Sequence, residues 1–225
     1  MRFRIGRRTI RRRRKSLGQS MVEFTIMLPV VLILLSGVIE FGFMLNAYLD
    51  LIDAAREAAR FAANDDPTIG IPTDDYLAQT NFWHRGWMNA RGSLATASDG
   101  RINWTPTNPT DCSNVNGDIV VSAFSIQRDT VVKRFPDNAA YIPEGASNCG
   151  NYQSKFNYEP APSANNVIYE NPLINNNSGA VLIEIYYEYE MVLGLPWVTA
   201  FVPDPVVLYA YSFFPNTYAE PTPTP

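Results

Sequence analysis

Hydrophobic positions change their rhythm along this chain, and the changes divide it. From Phe24 to Ile39 there are sixteen consecutive residues without a charge, and Phe41 to Leu49 stays mostly apolar. At about 1.5 Å of rise per residue, Glu23 to Glu40 spans roughly 25 Å of helix, and the run to Leu49 adds about 13 Å. The pattern predicts a helix of membrane length. Either the two acids bracket the hydrocarbon layer, or Glu40 is drawn slightly inside its outer edge. Pro29 removes one backbone donor within the run and predicts a mild kink. Past Leu49 the helical pattern continues to Ala63, with Leu51, Ala55, Ala58 and Ala62 on one face. Asp53/Arg56 and Glu57/Arg60 are neighbours on the polar side. Small residues on the first face let another backbone come close, although alanines there also serve helix propensity alone. Asn64-Asp65-Asp66-Pro67 ends the helix, which makes one rod of about forty residues.

Beyond Pro67 the period shortens. Asp74 to Arg91 reads as a short helix whose Tyr76, Leu77, Phe82, Trp83 and Trp87 could cover a sheet, with Gly86 weakening it. Asp118 to Gln127 reads as a strand. The clearest alternation runs from Val181 to Met191. Val181, Ile183, Ile185, Tyr187, Tyr189 and Met191 form an apolar face, and Leu182, Glu184, Tyr186, Glu188 and Glu190 a largely acidic one. This predicts an antiparallel sheet with one wet side. Val206 to Phe214 is a further strand, paired with the previous one across the Gly194 to Asp204 connection. Pro136 to Ser178 is Asn- and Pro-rich and reads as loop, and Glu220 to Pro225 as a stiff polyproline-type tail. The expected fold class is α+β: a long helix continuing into a small domain with an antiparallel sheet. The boundaries are a leader over 1–18, the rod over 19–63 with its membrane part near 24–49, an α+β domain over 64–215, and a tail over 216–225.

Charge turns this layout into a topology. The first eighteen residues carry nine basic residues and no acid, leaving nine basic and 22 acidic residues in the remainder, so the overall −4 hides a cationic leader on an acidic body. A basic arm can bind nucleic acid, but here a membrane-length apolar run follows it. The positive-inside rule then places the leader in the cytoplasm and the body outside, with no nucleic-acid partner. A secretory signal peptide is the competing reading, but the run is too long and no small-x-small cleavage site follows it. A retained single-pass anchor in the lipid bilayer is the better reading.

The block Arg11 to Lys15, then Gly18, then Glu23 and Phe24 before the apolar run, has the arrangement of a prepilin leader. An acid at the head of a membrane helix costs several kcal/mol unless something pairs with it, by about 3 kcal/mol on insertion scales. Cleavage after Gly18 would free the amine of Gln19, one helical turn from Glu23, to serve as that partner. Gly18-Gln19-Ser20-Met21-Val22-Glu23-Phe24, the Leu28-Pro29 step, Gly37 to Gly42 and Ala54 to Ala62 together resemble the N-terminal signature of TadE-like proteins. These are minor, pseudopilin-type components of the tight-adherence (Tad/Flp) pilus system. The resemblance is close over Ser16 to Ala63. It implies a prepilin peptidase that recognises Gly18 and Glu23, and partners among other pseudopilins or pilus platform proteins.

The remaining chemistry is sparse. Cys112 and Cys149 are the only cysteines, and an exported pair in loop-like sequence is expected to form a disulfide; thiols too far apart to join are the alternative. Neither has a second Cys or a His nearby, so no metal site is expected. His84, the only histidine, lies between Trp83 and Arg85 and reads as a surface or rim residue. Asp65/Asp66 and Asp74/Asp75 resemble caps and turns, and no Gly-rich phosphate loop is present. No cofactor and no enzymatic activity are expected. An uncleaved, signal-anchored surface domain that binds a ligand or acts as a hydrolase is the alternative to a pseudopilin. The connection from Leu193 to Pro203 is unusually apolar for a loop. Either it closes over its own core, or Trp197 and Phe201 form an exposed tip that meets a partner subunit or dips into the outer leaflet.

Overall fold

The computed structural model describes residues 17–67, 82–98, 101–102, 104, 112–113, 115–127, 130–135, 146–156 and 178–220. Helix α1 runs from Leu17 to Ala62 and passes through Pro29 without interruption. Its inner half is exposed almost throughout. A helix of this apolarity in a soluble core would be covered; this one has the length and composition to cross a membrane. The outer half is different. Leu51, Ala54, Ala55, Ala58, Ala59 and Ala62 are buried. The alanines expected on one face thus form a packing face, and their small size brings neighbouring elements close to the rod. Asp53–Arg56 and Glu57–Arg60 pair on its exposed side at 3.6 and 3.4 Å. Such exposed pairs contribute a few tenths of a kcal/mol, about 0.3–0.5 each.

Helix α2 spans Phe82–Ala97. It continues past the expected end at Arg91, because Ala90 and Leu94 carry the buried stripe on and Arg91 is itself buried. The expected start, residues 74–81, lies outside the described residues. Gly86 costs about 1 kcal/mol of helix propensity relative to Ala, but it sits buried against Val121, where tertiary packing outweighs that term.

The sheet is antiparallel, with strands β1 Gly117–Gln127, β2 Thr130–Phe135, β3 Ala146–Ser147, β4 Ser178–Tyr189 and β5 Val206–Pro215. The order is β2-β1-β4-β5, and β3 pairs with β1 at Val120 and Val121. β1 lies along β4 with Ile119 opposite Ile185 and Ala123 opposite Val181. β4 lies along β5 with Ile185 opposite Ala210. The strands read from alternation are therefore present, and β4 and β5 pair as expected. β2 and β3 were not anticipated, and β3 falls within the stretch read as loop.

One face of the sheet meets α1 and α2. Val181, Ile183 and Ile185 join the rod alanines, Phe82, Trp83 and Trp87 in the main core. The opposite face corrects the expectation of a wet side. Leu182, Glu184 and Tyr186 are buried there, with a second cluster of Phe124, Ile126, Val131, Phe156, Ala180 and Leu182. Residues 151–156 lie over this face, Tyr152 stacking on Tyr186 at 4.6 Å between ring centroids. Nor does the chain become a free tail at 216. Asn216 is buried, donating to the carbonyls of Ala62 (3.1 Å) and Asp65 (2.8 Å) at the end of α1. Its side-chain oxygen accepts from the N–H groups of Tyr218 and Ala219 and caps a short 3₁₀ turn. Residues 221–225 lie outside the described residues.

Candidate functional site

The processing residues open α1. Gly18 has nothing within 4 Å of where a Cβ would stand, and Glu23 and Phe24 are exposed. Gln19 belongs to the helix, but its side chain lies outside the described residues, as do residues 1–16. Among the described residues nothing packs on Gly18, and the acid stands four residues past Gln19.

A second site lies at Glu40, where the rod meets the β4–β5 hairpin. Glu40 is only 5% exposed although it projects from the apolar half of α1. Its Oε1 accepts from the Tyr189 hydroxyl and the Val192 N–H, and its Oε2 from the Leu193 N–H, all at 2.8 Å. Charge-assisted hydrogen bonds of this kind are about twice as strong as neutral ones. They hold the start of the hairpin loop on the helix. Further along that loop, residues Pro196–Thr199 form a one-turn helix, α3, none of which is buried. The Trp197 indole donates to Ser36 Oγ at 3.1 Å, one turn of α1 before Glu40. The loop does not close over a core of its own: Trp197 is 42% and Phe201 89% exposed.

The third feature is structural. Asp118, fully buried at the start of β1, accepts six hydrogen bonds. Oδ1 takes the N–H groups of Ile119, Asn148 and Cys149 at 2.8–3.0 Å. Oδ2 takes those of Asn151 and Tyr152, and the Ser147 hydroxyl. Cys149, held by this wrap, is joined to Cys112 in a disulfide with the Cα atoms 5.9 Å apart. Arg91 packs beside it and donates to Asn148 Oδ1 at 2.9 Å.

Beyond Asp118 the buried polar face continues to Glu184, whose Oε1 accepts from Lys155 N–H, the Tyr209 hydroxyl and the Tyr186 hydroxyl. Burial is the main force pushing the Glu184 carboxyl above its ordinary range, opposed by hydrogen bonds from Ser154, Lys155 and Tyr209 and by the Arg134 charge. Burial likewise raises the Tyr186 and Tyr209 phenols, reinforced by Glu184. The Tyr152 phenol is pushed up to about 12 by burial and by Glu188, to which it donates. These shifts favour the neutral phenol in the folded state. The stability they carry is complete below the ordinary phenol value near 10 and is lost as pH rises toward the raised values. The melting temperature is therefore expected to fall steeply between about pH 10 and about pH 12. Equal melting temperatures at about pH 8 and about pH 11 would contradict this.

Of the residues singled out in the sequence, the fold joins Cys112 to Cys149 and lays Trp197 on the rod. It keeps Gly18 and Glu23 apart from both. His84 is half-buried on α2. Sequence reasoning missed Asp118 and Glu184, and it missed the partners of Glu40, which lie about 150 residues downstream. Among the described residues no group of three or more His, Cys, Asp or Glu side chains is placed to hold a metal ion. Comparison of the chain with curated proteins and with solved structures found no match in either. Residues 18–60, from the exposed glycine to the alanine-lined outer half of the rod, match the family model for TadE-like protein.

Proposed function

We propose that the chain is a membrane-anchored, pseudopilin-like subunit of a Tad/Flp-type pilus or a related secretion or adhesion apparatus. A prepilin peptidase cuts it after Gly18. The leader stays in the cytoplasm and the α+β body faces outward, a reading supported by the basic block before the anchor. The role is structural, not catalytic: the apolar helix anchors the chain in the bilayer, and the body is presented to pilus-assembly components outside.

The observation that carries this reading is the coincidence at Gly18. The TadE-like match begins there, the membrane-length apolar run follows it from Phe24, and Glu23 then stands at the fifth position of the cleaved chain. Cleavage would add an amine one turn from that acid, offsetting the cost of a carboxylate at the membrane boundary.

The test is the mature N-terminus, read by mass spectrometry from cells that carry the peptidase. The expected first residue is Gln19. Gly18→Val is expected to abolish processing, because a subsite shaped for glycine has no room for a branched side chain. Glu23→Ala is expected to leave most cleavage intact and to impair assembly. Recovery of wild-type protein beginning at or near Met1 would overturn the reading in favour of an uncleaved signal-anchored surface domain.

A further inference from the structure

We propose that residues 191–203, the loop between β4 and β5, are a second membrane-inserted element. They lie in the outer leaflet beside the anchor, and acyl chains cover their exposed apolar side. The inference rests on the anchor's crossing a bilayer but not on any role in a pilus.

Depth is the first argument. A hydrocarbon core of about 30 Å takes about twenty residues of helix, so a core that begins at Phe24 ends near Phe43. Ser36 and Glu40 fall inside that limit. Trp197 is hydrogen-bonded to Ser36, and Val192 and Leu193 to Glu40. The loop therefore lies level with residues 36–40 of the anchor, below the outer boundary. Helix tilt would sink it further.

Composition and exposure agree with that depth. No charged residue occurs between Glu190 and Asp204. Val192 is 61% exposed and Phe201 89%, and Ile33, Val38, Ile39 and Phe41 of the adjoining anchor are exposed as well. The loop therefore adjoins the segment of the anchor that acyl chains surround when it crosses a bilayer. An apolar cleft of about 260 Å³ between loop and anchor, lined by Gly37, Phe41, Met44, Met191, Val198 and Val202 among others, could take an acyl-chain segment.

Backbone polarity is the usual obstacle to placing irregular structure in hydrocarbon. Here eight of the eleven loop N–H groups have partners within the protein. Met191 N–H is taken by Asp204, and those of Val192 and Leu193 by Glu40. The N–H groups of Val198, Thr199, Ala200, Phe201 and Val202 bond to carbonyls of the loop itself. Pro196 and Pro203 carry no N–H. Glu40 is thus an acceptor that the anchor itself supplies to the start of the loop.

The test uses the full chain in phospholipid nanodiscs, with a spin label at Phe201→Cys; the two native cysteines are joined to each other and do not compete. Collision with oxygen, which partitions into lipid, is compared with collision with a nickel chelate, which stays in water. Labels at Leu32→Cys and Ala97→Cys serve as references for lipid and water. The expected result is oxygen access at position 201 matching that at 32, with nickel access lost. Nickel access matching that at 97 would overturn the proposal. So would shielding from both reagents, which would mean that a protein partner covers the tip. Nickel access at position 32 would remove the anchor from the bilayer and the proposal with it. An altered N-terminus leaves these readings unchanged, so failure of the processing reading is seen separately.

Discussion

Glu40→Ala is expected to release the β4–β5 loop from the rod. The substitution removes the acceptor of the Tyr189 hydroxyl and of the Val192 and Leu193 N–H groups. The Tyr189 hydroxyl is buried and the two N–H groups are partly so; an unsatisfied buried donor costs about 1–3 kcal/mol, and a total of about 3–5 kcal/mol is expected. Local relaxation of the loop keeps the total below the simple sum. Glu40→Gln retains one oxygen for the pair on Oε1 and loses the acceptor for Leu193, so a cost of about 1–3 kcal/mol is expected. The readout is hydrogen exchange at Val192 and Leu193 in the full chain. Alanine should raise it strongly and glutamine less. Unchanged protection in Glu40→Ala would show that the loop is held by its apolar contacts and not by the carboxylate.

Asp118→Ala is expected to have an effect at least as large, centred on a different part of the fold. All six partners of Asp118 are donors in the present arrangement, and the side chain is fully buried. Breaking a buried charged network of this kind costs about 3–5 kcal/mol. For a domain of this size that corresponds to a drop of roughly 10 °C in melting temperature. Asp118→Asn should be nearly as harmful, because its amide nitrogen would face the donors of Asn151 and Tyr152. The contrast with Glu40→Gln is the discriminating feature: at position 118 the conservative change should fail to rescue. A small, equal effect of Ala and Asn would mean that water replaces the carboxylate. The disulfide ties the same segment, and closing a loop of this length is worth about 4 kcal/mol at most. Removing both should therefore cost less than the sum of the separate losses.

The rod, the strands β1, β4 and β5 and the disulfide were legible because each follows from a local pattern or a pairing of scarce residues. Alternation along β4 correctly separated Ile183 from Glu184. It could not say whether another segment would cover the second side. That depends on residues 151–156, whose backbone amides and aromatic rings supply partners to Glu184 and Tyr186 from about thirty residues away. Glu184 was read as a solvent-facing acid for this reason. β2 was missed because Lys133 and Arg134 interrupt its β-branched run; Arg134 is nonetheless buried and donates to Ser122 Oγ at 2.8 Å. The two acids of the anchor region looked alike in sequence. The end of β4 and the loop after it distinguish them, and they return to Glu40 only after strands β1 to β4 have been laid down. Asp118 gave no signal beyond a polar residue at a strand start.

The grip on Glu40 has a mechanical consequence. The sheet holds the rod at two levels, along the alanine face from Leu51 to Ala62 and again at Glu40. Two points of attachment on one stiff helix remove the swivel that a single junction would allow. The body therefore keeps a fixed azimuth about the rod instead of trailing from it on a tether. A pull along the helix axis is divided between both levels, so body and rod are joined as by a rigid bracket.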